Sequence, residues 1–323
     1  MRRTVAGIVA ILLLSVPGCG GDEDATQKVT TIAFLRSVNS GNPAPLLAEL
    51  RGAGFREGDT LRILPTDPNE AHALPEDARE VVEGWIGDGA DLIFAFSSTG
   101  AAAAAEATAD VPILFLVNDP SAVGLVESEE APEGNLTGVT FRVPADRTLA
   151  LARDAIPGLA KIGILFPADD PAAPPHRDAL TRAGPDLGIE VVAEAFRGDD
   201  DVVRAIDALV GSGAQAIVVA NAPTAIRSLA TIEPAAAERR IPLIANTDIA
   251  ASALLVLQPD TDELLAQLGR QAVRILTGAD PGDVPVENPR TFEVIVNAKA
   301  AADLGLPPLS ADLLRQADTV IEA

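Results

Sequence analysis

At 323 residues the chain is long for a single compact unit and sets an expectation of two domains of about 150 residues each. Its net charge of −23, with Lys28, Lys161 and Lys299 the only lysines, excludes nucleic acid as a partner, because phosphate binding rests on clustered positive charge. A single cysteine excludes an intramolecular disulfide, and 48% hydrophobic with 22% charged residues describes a globular body whose one long apolar run stands at its start.

That start reads Met1-Arg2-Arg3, an apolar stretch over 5–16, and then Pro17-Gly18-Cys19-Gly20-Gly21. A basic beginning, a short apolar run and small residues before a cleavage point make an export signal over 1–19. The run is too short to cross a bilayer of about 30 Å as a stable helix. Cys19 follows Val16-Pro17-Gly18 in the manner of a bacterial lipobox, whose cysteine is acylated and becomes the new N-terminus. Pro17 departs from the small or hydroxyl residue usual at that place. The polar segment 20–28 reads as a tether, so the expected location is extracytoplasmic, with a lipid anchor in the outer face of the cytoplasmic membrane.

Beyond the tether, apolar strand-like runs alternate with helical stretches whose apolar residues recur at three and four. The strands are expected at 30–35, 60–64, 91–96, 112–117, 137–141, 161–166, 189–196, 215–220, 241–245, 253–257 and 292–296. Helices are expected at 44–51, 75–86, 147–156, 202–210 and 262–276. Short continuous apolar strands separated by helices mean a parallel sheet covered on both faces.

The pattern occurs twice. Thr31-Ile-Ala-Phe-Leu35 returns as Lys161-Ile-Gly-Ile-Leu165, Gly87-Asp-Gly-Ala-Asp-Leu-Ile-Phe-Ala95 as Gly211-Ser-Gly-Ala-Gln-Ala-Ile-Val-Val219, and Val111-Pro-Ile-Leu114 as Ile241-Pro-Leu-Ile244. The sequence therefore predicts an α/β fold of two doubly wound, Rossmann-like lobes with parallel sheets, facing each other across a cleft and joined by a multi-crossover hinge. Lobe one is assigned 29–141 plus 258–286, and lobe two 142–257 plus 287–323.

In open parallel sheets ligands bind beyond the carboxyl ends of the strands. That rule selects Arg36 and Ser37, Ser97, Ser98 and Thr99, and Asp119 in lobe one, with Asn221, Thr224 and Asp248 in lobe two. The segment 97–100 opens a helix, which makes it either a carboxylate seat at a positive dipole end or a plain N-cap. Asp119 and Asp248 occupy matching loops and either hold an ammonium group or form turns. A hydroxyl-lined anion seat opposite carboxylates suits a zwitterion, so an amino acid or amino-acid-like solute is favoured. Phe96, Phe141 and Phe166 end strands near the cleft, yet with no tyrosine in the chain a stacking wall is thin.

Catalysis, metals and cofactors find little footing. His72 and His176 are the only histidines, stand apart in polar or Pro-rich surroundings, and read as surface residues. There is no Gly-x-Ser-x-Gly elbow or Walker loop, and Gly87-x-Gly89 precedes a strand where a dinucleotide fingerprint follows one. A ligand-sensing subunit for a membrane receptor and a small-molecule enzyme on the same two-lobed frame are the rival readings. A repressor of this build would carry a basic helix-turn-helix where the export signal stands.

Three further stretches carry a family likeness: Asn118-Asp119-Pro120 with Gly124-Leu125-Val126, Gly134-Asn135-Leu136-Thr137-Gly138-Val139, and Asn297-Ala298-Lys299-Ala300-Ala301-Ala302-Asp303-Leu304-Gly305-Leu306. Together they resemble the ABC-transporter substrate-binding proteins that include tryptophan and other aromatic amino-acid binders. The resemblance runs from about 29 to 306. It implies the type I periplasmic binding fold, an ABC permease with its ATPase as partner, no cofactor and a monomeric protein. It also implies that Ser98, Thr99 and Asp119 lie near the ligand. Asn221 stands where many relatives show an aspartate, so their specificity does not transfer directly.

Overall fold

The computed structural model describes residues 29–36, 42–64, 75–170, 172–247 and 252–322, so the export signal, Cys19, the tether, Ser37, His72 and Asp248 lie outside the described residues. The first half builds β1 (Thr30–Leu35), α1 (Ala44–Gly52), β2 (Leu61–Leu64), α2 (Pro75–Gly87), β3 (Leu92–Ala95), α3 (Ser98–Ala107), β4 (Ile113–Val117) and β5 (Leu136–Thr140). Its five strands are all parallel, in the order β2-β1-β3-β4-β5.

The second half continues with α4 (Ala145–Ala155), β6 (Lys161–Pro167), α5 (Ala173–Ala183), β7 (Glu190–Phe196), α6 (Asp199–Gly211), β8 (Ile217–Val219), α7 (Pro223–Arg227), α8 (Leu229–Glu238), β9 (Leu243–Ala245) and β10 (Leu255–Pro259). After α9 (Thr261–Leu276) come β11 (Phe292–Asn297), α10 (Ala298–Leu304), α11 (Ala311–Gln316) and β12 (Thr319–Ile321). The second sheet runs β12-β11-β10-β9-β8-β6-β7. Its part β7-β6-β8-β9-β10 repeats the order of the first sheet. The three sequence repeats fall on β1 and β6, β3 and β8, and β4 and β9. The second sheet adds β11, antiparallel to β10, and the short β12 beside it, which the apolar pattern does not predict.

Continuous apolar strands follow from double-sided burial. In β1, Ile32 and Phe34 face one core, shared with Leu46 and Leu50 of α1 and Leu264, Leu265 and Leu268 of α9. Ala33 and Leu35 face the opposite core, against Val82 and Trp85 of α2 and Ala101 and Ala104 of α3. Successive strand residues point to opposite faces, so a sheet covered by helices on both sides leaves no strand position for water. The stacked rings of Phe34 and Phe94, 4.9 Å apart, fill the α1/α9 side.

The chain passes between the sheets three times: from β5 into α4, from β10 into α9, and from the segment after α9 into β11. The passages are bonded to one another. Asp260 donates its N–H to the Thr291 carbonyl at 3.1 Å, and Thr140 Oγ1 and Arg142 Nη1 donate to Asn288 Oδ1 at 2.8 and 3.2 Å. The Glu287 carbonyl accepts from Thr140 N–H at 2.8 Å, which sets Glu287 beside β5, while β10 extends to Pro259 within the second sheet. Gln267 of α9 clamps the third passage by donating to Glu287 Oε2 and the Asn288 carbonyl.

Candidate functional site

The carboxyl ends of the two sheets meet around a crevice of 420 Å³ lined by both lobes. Asn118 is the first residue after β4, and Asn221 stands just beyond β8. Asn118 Nδ2 donates to the Asn221 carbonyl at 2.8 Å, joining the lobes. Asn221 in turn donates its N–H to Nδ1 of His176 on α5 at 3.0 Å.

This arrangement corrects the reading of His176 as an isolated surface residue. The Pro-rich sequence around it builds α5, whose face lines the crevice, and burial pushes the imidazole pKa down to about 4, so it is neutral near pH 7. A ring nitrogen that accepts a hydrogen bond carries a free lone pair, which places the single proton on Nε2. Nε2 is closed to solvent and has no hydrogen-bond partner among the described residues, although the residue as a whole is only partly buried.

On the lobe-one side, Asp119 Oδ1 accepts the Ala122 N–H at 3.0 Å and its Oδ2 lies 3.5 Å from Arg142 Nη2. Arg142 engages both oxygens of Glu129, at 2.7 and 3.2 Å, and the Glu129 carboxylate raises its pKa further. Two carboxylates thus share one guanidinium, which leaves one negative charge uncompensated at the crevice wall. Opposite them on α5, Asp178 is bound by Arg177, whereas Arg182 makes no ion pair or hydrogen bond among the described residues.

Of the residues selected from sequence, Asp119 and Asn221 line this crevice, while Arg36, Ser97, Ser98, Thr99 and Thr224 stand outside it. Ser97 caps α3, its Oγ accepting from Gly100 N–H at 3.0 Å; Ser98 is half-buried and Thr99 exposed. Arg36 is buried with its guanidinium 5.9 Å from the Phe96 ring. Phe96 is stacked against Phe34 at 6.1 Å inside the core, so it is withdrawn from the cleft. Phe166 lies under Arg177, and Phe141 alone of these three aromatics lines the crevice. Thr224 donates its N–H to Asp170 and accepts from Arg227 at the start of α7. Asn118 belongs to a loop that the strand-end rule picks, whereas Arg142, His176, Asp178 and Arg182 are among the crevice residues that it did not select.

A family model described as ABC transporter substrate binding protein matches residues 46–321. The chain belongs to that family. Membership implies a small-molecule solute, a permease partner and a place outside the cytoplasm. The chain is 30% identical over 331 residues to the tyrosine-binding protein of Clostridioides difficile (strain R20291), covering 96% of this chain and 93% of that one. Among solved structures it is similar to an ABC domain from Streptococcus pneumonia in complex with L-Trp. The TM-score there is 0.75 at 20% identity, over 91% of this chain and all of the other. A ligand-free, open substrate-binding protein with adhesive properties from Clostridium difficile gives a TM-score of 0.73 at 26% identity, over 92% of this chain and all of that one. These likenesses fit a type I periplasmic binding fold. Among the described residues of this family member, no helix is long and apolar enough to cross a membrane.

Proposed function

We propose that this substrate-binding protein captures an amino acid with an aromatic side chain between its lobes and hands it unchanged to the permease of an ABC importer. The observation that carries the reading is the charge placement around the crevice. Asp119 and Glu129 against Arg142 leave one negative charge for an ammonium group. The Ser98 and Thr99 loop follows β3, the neighbour of β4, so its α3 N-terminus stands at the same sheet end as the Asp119 loop and suits the α-carboxylate. Lobe one then holds the backbone groups of the solute, and the α5 wall of lobe two faces its side chain. The names of the tyrosine-binding relative and the L-Trp complex support the same solute class.

In this reading Arg36, Ser37, Ser97, Asn221, Thr224 and Asp248 surround the solute as the lobes close. The solute must bind the closed form better than the open one, since only differential affinity shifts that population. The protein acts as a monomer held by acylated Cys19 and performs no chemistry on its ligand.

The test is a thermal-shift and calorimetric screen of residues 20–323 against amino acids, nucleobases, vitamins and sugars. A true ligand at a hundredfold excess over Kd adds about 2.7 kcal/mol of stability, read as a rise in Tm of several degrees. Silence from every amino acid, or conversion of a compound recovered from the mixture, overturns the proposal.

A further inference from the structure

We propose that the amino end of the second sheet carries a separate binding site, in which Arg240 holds the carboxylate of a small acid that also bears a hydrogen-bond donor. The site is a cavity of 340 Å³ between the end of α8, the start of β9 and α10. Leu243 opens β9, and Asn297 ends β11, which runs antiparallel to β10. Both line the cavity, so it lies at the opposite end of the sheet from Asn221 and the crevice. It is independent of the solute reading above.

Arg240 stands at this cavity at a conformational cost. α1, α2, α6 and α9 each end in the same pair of backbone bonds, and the left-handed residue there is Gly54, Gly89, Gly213 or Gly278. α8 ends in that pair too: the Arg240 N–H donates to the Ala237 carbonyl and the Ile241 N–H to the Ala236 carbonyl. Yet its left-handed residue is Arg240, at φ 52°. A Cβ disfavours that conformation, so glycine would be the more stable choice if the position served only to end the helix. Among the described residues Glu133 is the only other non-glycine residue with positive φ. Strain of this sort collects at binding sites.

The guanidinium reaches α10, where Nη2 donates to the Asp303 carbonyl at 3.3 Å, and it makes no ion pair among the described residues. Its remaining N–H groups form a fork that fits a carboxylate in two parallel bonds. Lys299 is taken by the Asp303 carboxylate, so Arg240 is the uncommitted cation of the cavity. Glu233 accepts the Ser252 N–H on Oε1 at 3.0 Å and makes no ion pair among the described residues, which leaves Oε2 for a donor on the ligand. Ala236, Ala237, Ile241, Leu243 and Leu304 supply an apolar wall, which suits a short hydrocarbon body better than a bare inorganic anion.

The experiment is calorimetric titration of the wild type, Arg240→Gly, Arg240→Lys and Glu233→Ala with γ-hydroxybutyrate, butyrate and inorganic phosphate, together with the Tm of each protein. A hydroxy acid is chosen over an amino acid so that the crevice is not engaged. The wild type should bind γ-hydroxybutyrate best and phosphate least. Arg240→Gly should weaken γ-hydroxybutyrate at least tenfold while raising Tm by about 2 to 4 °C, since it puts at the end of α8 the residue that ends the other four helices. Arg240→Lys, a point charge without the fork, should lose most of the affinity and gain nothing in Tm. Glu233→Ala should remove the preference for γ-hydroxybutyrate over butyrate. Undiminished binding in Arg240→Gly overturns the inference, and so does a lower Tm in that variant, which would make the arginine a structural tie to α10. A wild type that prefers phosphate, or that binds none of the three compounds, overturns it as well.

Discussion

Asn118 and Asn221 hold the lobes together across the crevice through one hydrogen bond of 2.8 Å, side-chain amide to backbone carbonyl. A neutral bond of this kind contributes about 1 kcal/mol, a factor of about five in a two-state population. Asn118→Ala should enlarge the radius of gyration of the ligand-free protein in X-ray scattering and weaken solute binding by about fivefold. Scattering curves and affinities that superimpose with the wild type would show that the bond has no part in closure.

Asp119→Ala should weaken binding of an amino acid by about 1 to 3 kcal/mol, because it removes the charge surplus that an ammonium group meets. Calorimetry with the matching arylpropionate, which lacks the amine, supplies the contrast. Its affinity should not fall on substitution, and an equal loss for both compounds would mean that Asp119 acts through the shape of its loop.

Acid should weaken the fold through His176. Below pH 6.5 the unfolded imidazole takes up a proton that the folded one refuses until about pH 4, so the unfolded state binds more protons in that window. The contribution is fully present above pH 6.5 and is lost as pH falls toward 4, by at most about 3 kcal/mol. Asp178 and Arg182 share its wall, and many carboxylates titrate near the lower end, so the comparison that isolates the histidine is urea unfolding of wild type against His176→Gln. The variant should lose less stability across the window; parallel curves would place the imidazole in contact with water.

Gly269 lets α9 lie against α1: a Cβ there would stand 2.8 Å from the Leu46 carbonyl oxygen and 3.0 Å from Glu49 Cβ. Alanine is ordinarily better than glycine inside a helix by up to about 1 kcal/mol. Here the backbone oxygen cannot yield without moving α1, and overpacking of this kind costs about 1 to 3 kcal/mol. Gly269→Ala should therefore lower the urea midpoint, and a raised midpoint would show that the two helices can part freely.

Cys19→Ala should release the protein from the membrane fraction into the soluble extracytoplasmic fraction. Full retention on the membrane after the substitution would require an anchor other than an acyl chain.

The strands were legible because parallel strands buried on both faces need continuous apolar runs, and all eleven expected strands overlap observed ones by three residues or more. Where the signal fails, burial explains it. In β12, Thr319 and Ile321 are exposed, so nothing in 319–321 distinguishes a strand from a loop. The antiparallel turn-in of β11 against β10 depends on the third passage, which strand composition does not encode. At the site, Asp119 was legible from its place after a strand. His176 was not, because its hydrogen-bond partner is 45 residues away in the chain and the flanking Ala-Ala-Pro-Pro resembles a surface segment. Phe96 misled for the converse reason: its strand-end position suggests the cleft, yet Phe34 stacks on it from the interior.

The packing of α9 onto α1 also orders events in time. The core that holds Ile32, Phe34 and Leu92 takes its covering from Leu264, Leu265 and Leu268, which follow the whole second βα repeat in the chain. A polypeptide delivered N-terminus first through an export channel therefore releases β6 to β10 of the second sheet before the first lobe can be finished. Until that helix emerges, the oily side of β1 and β3 stays bare for chaperones or for a neighbouring nascent chain.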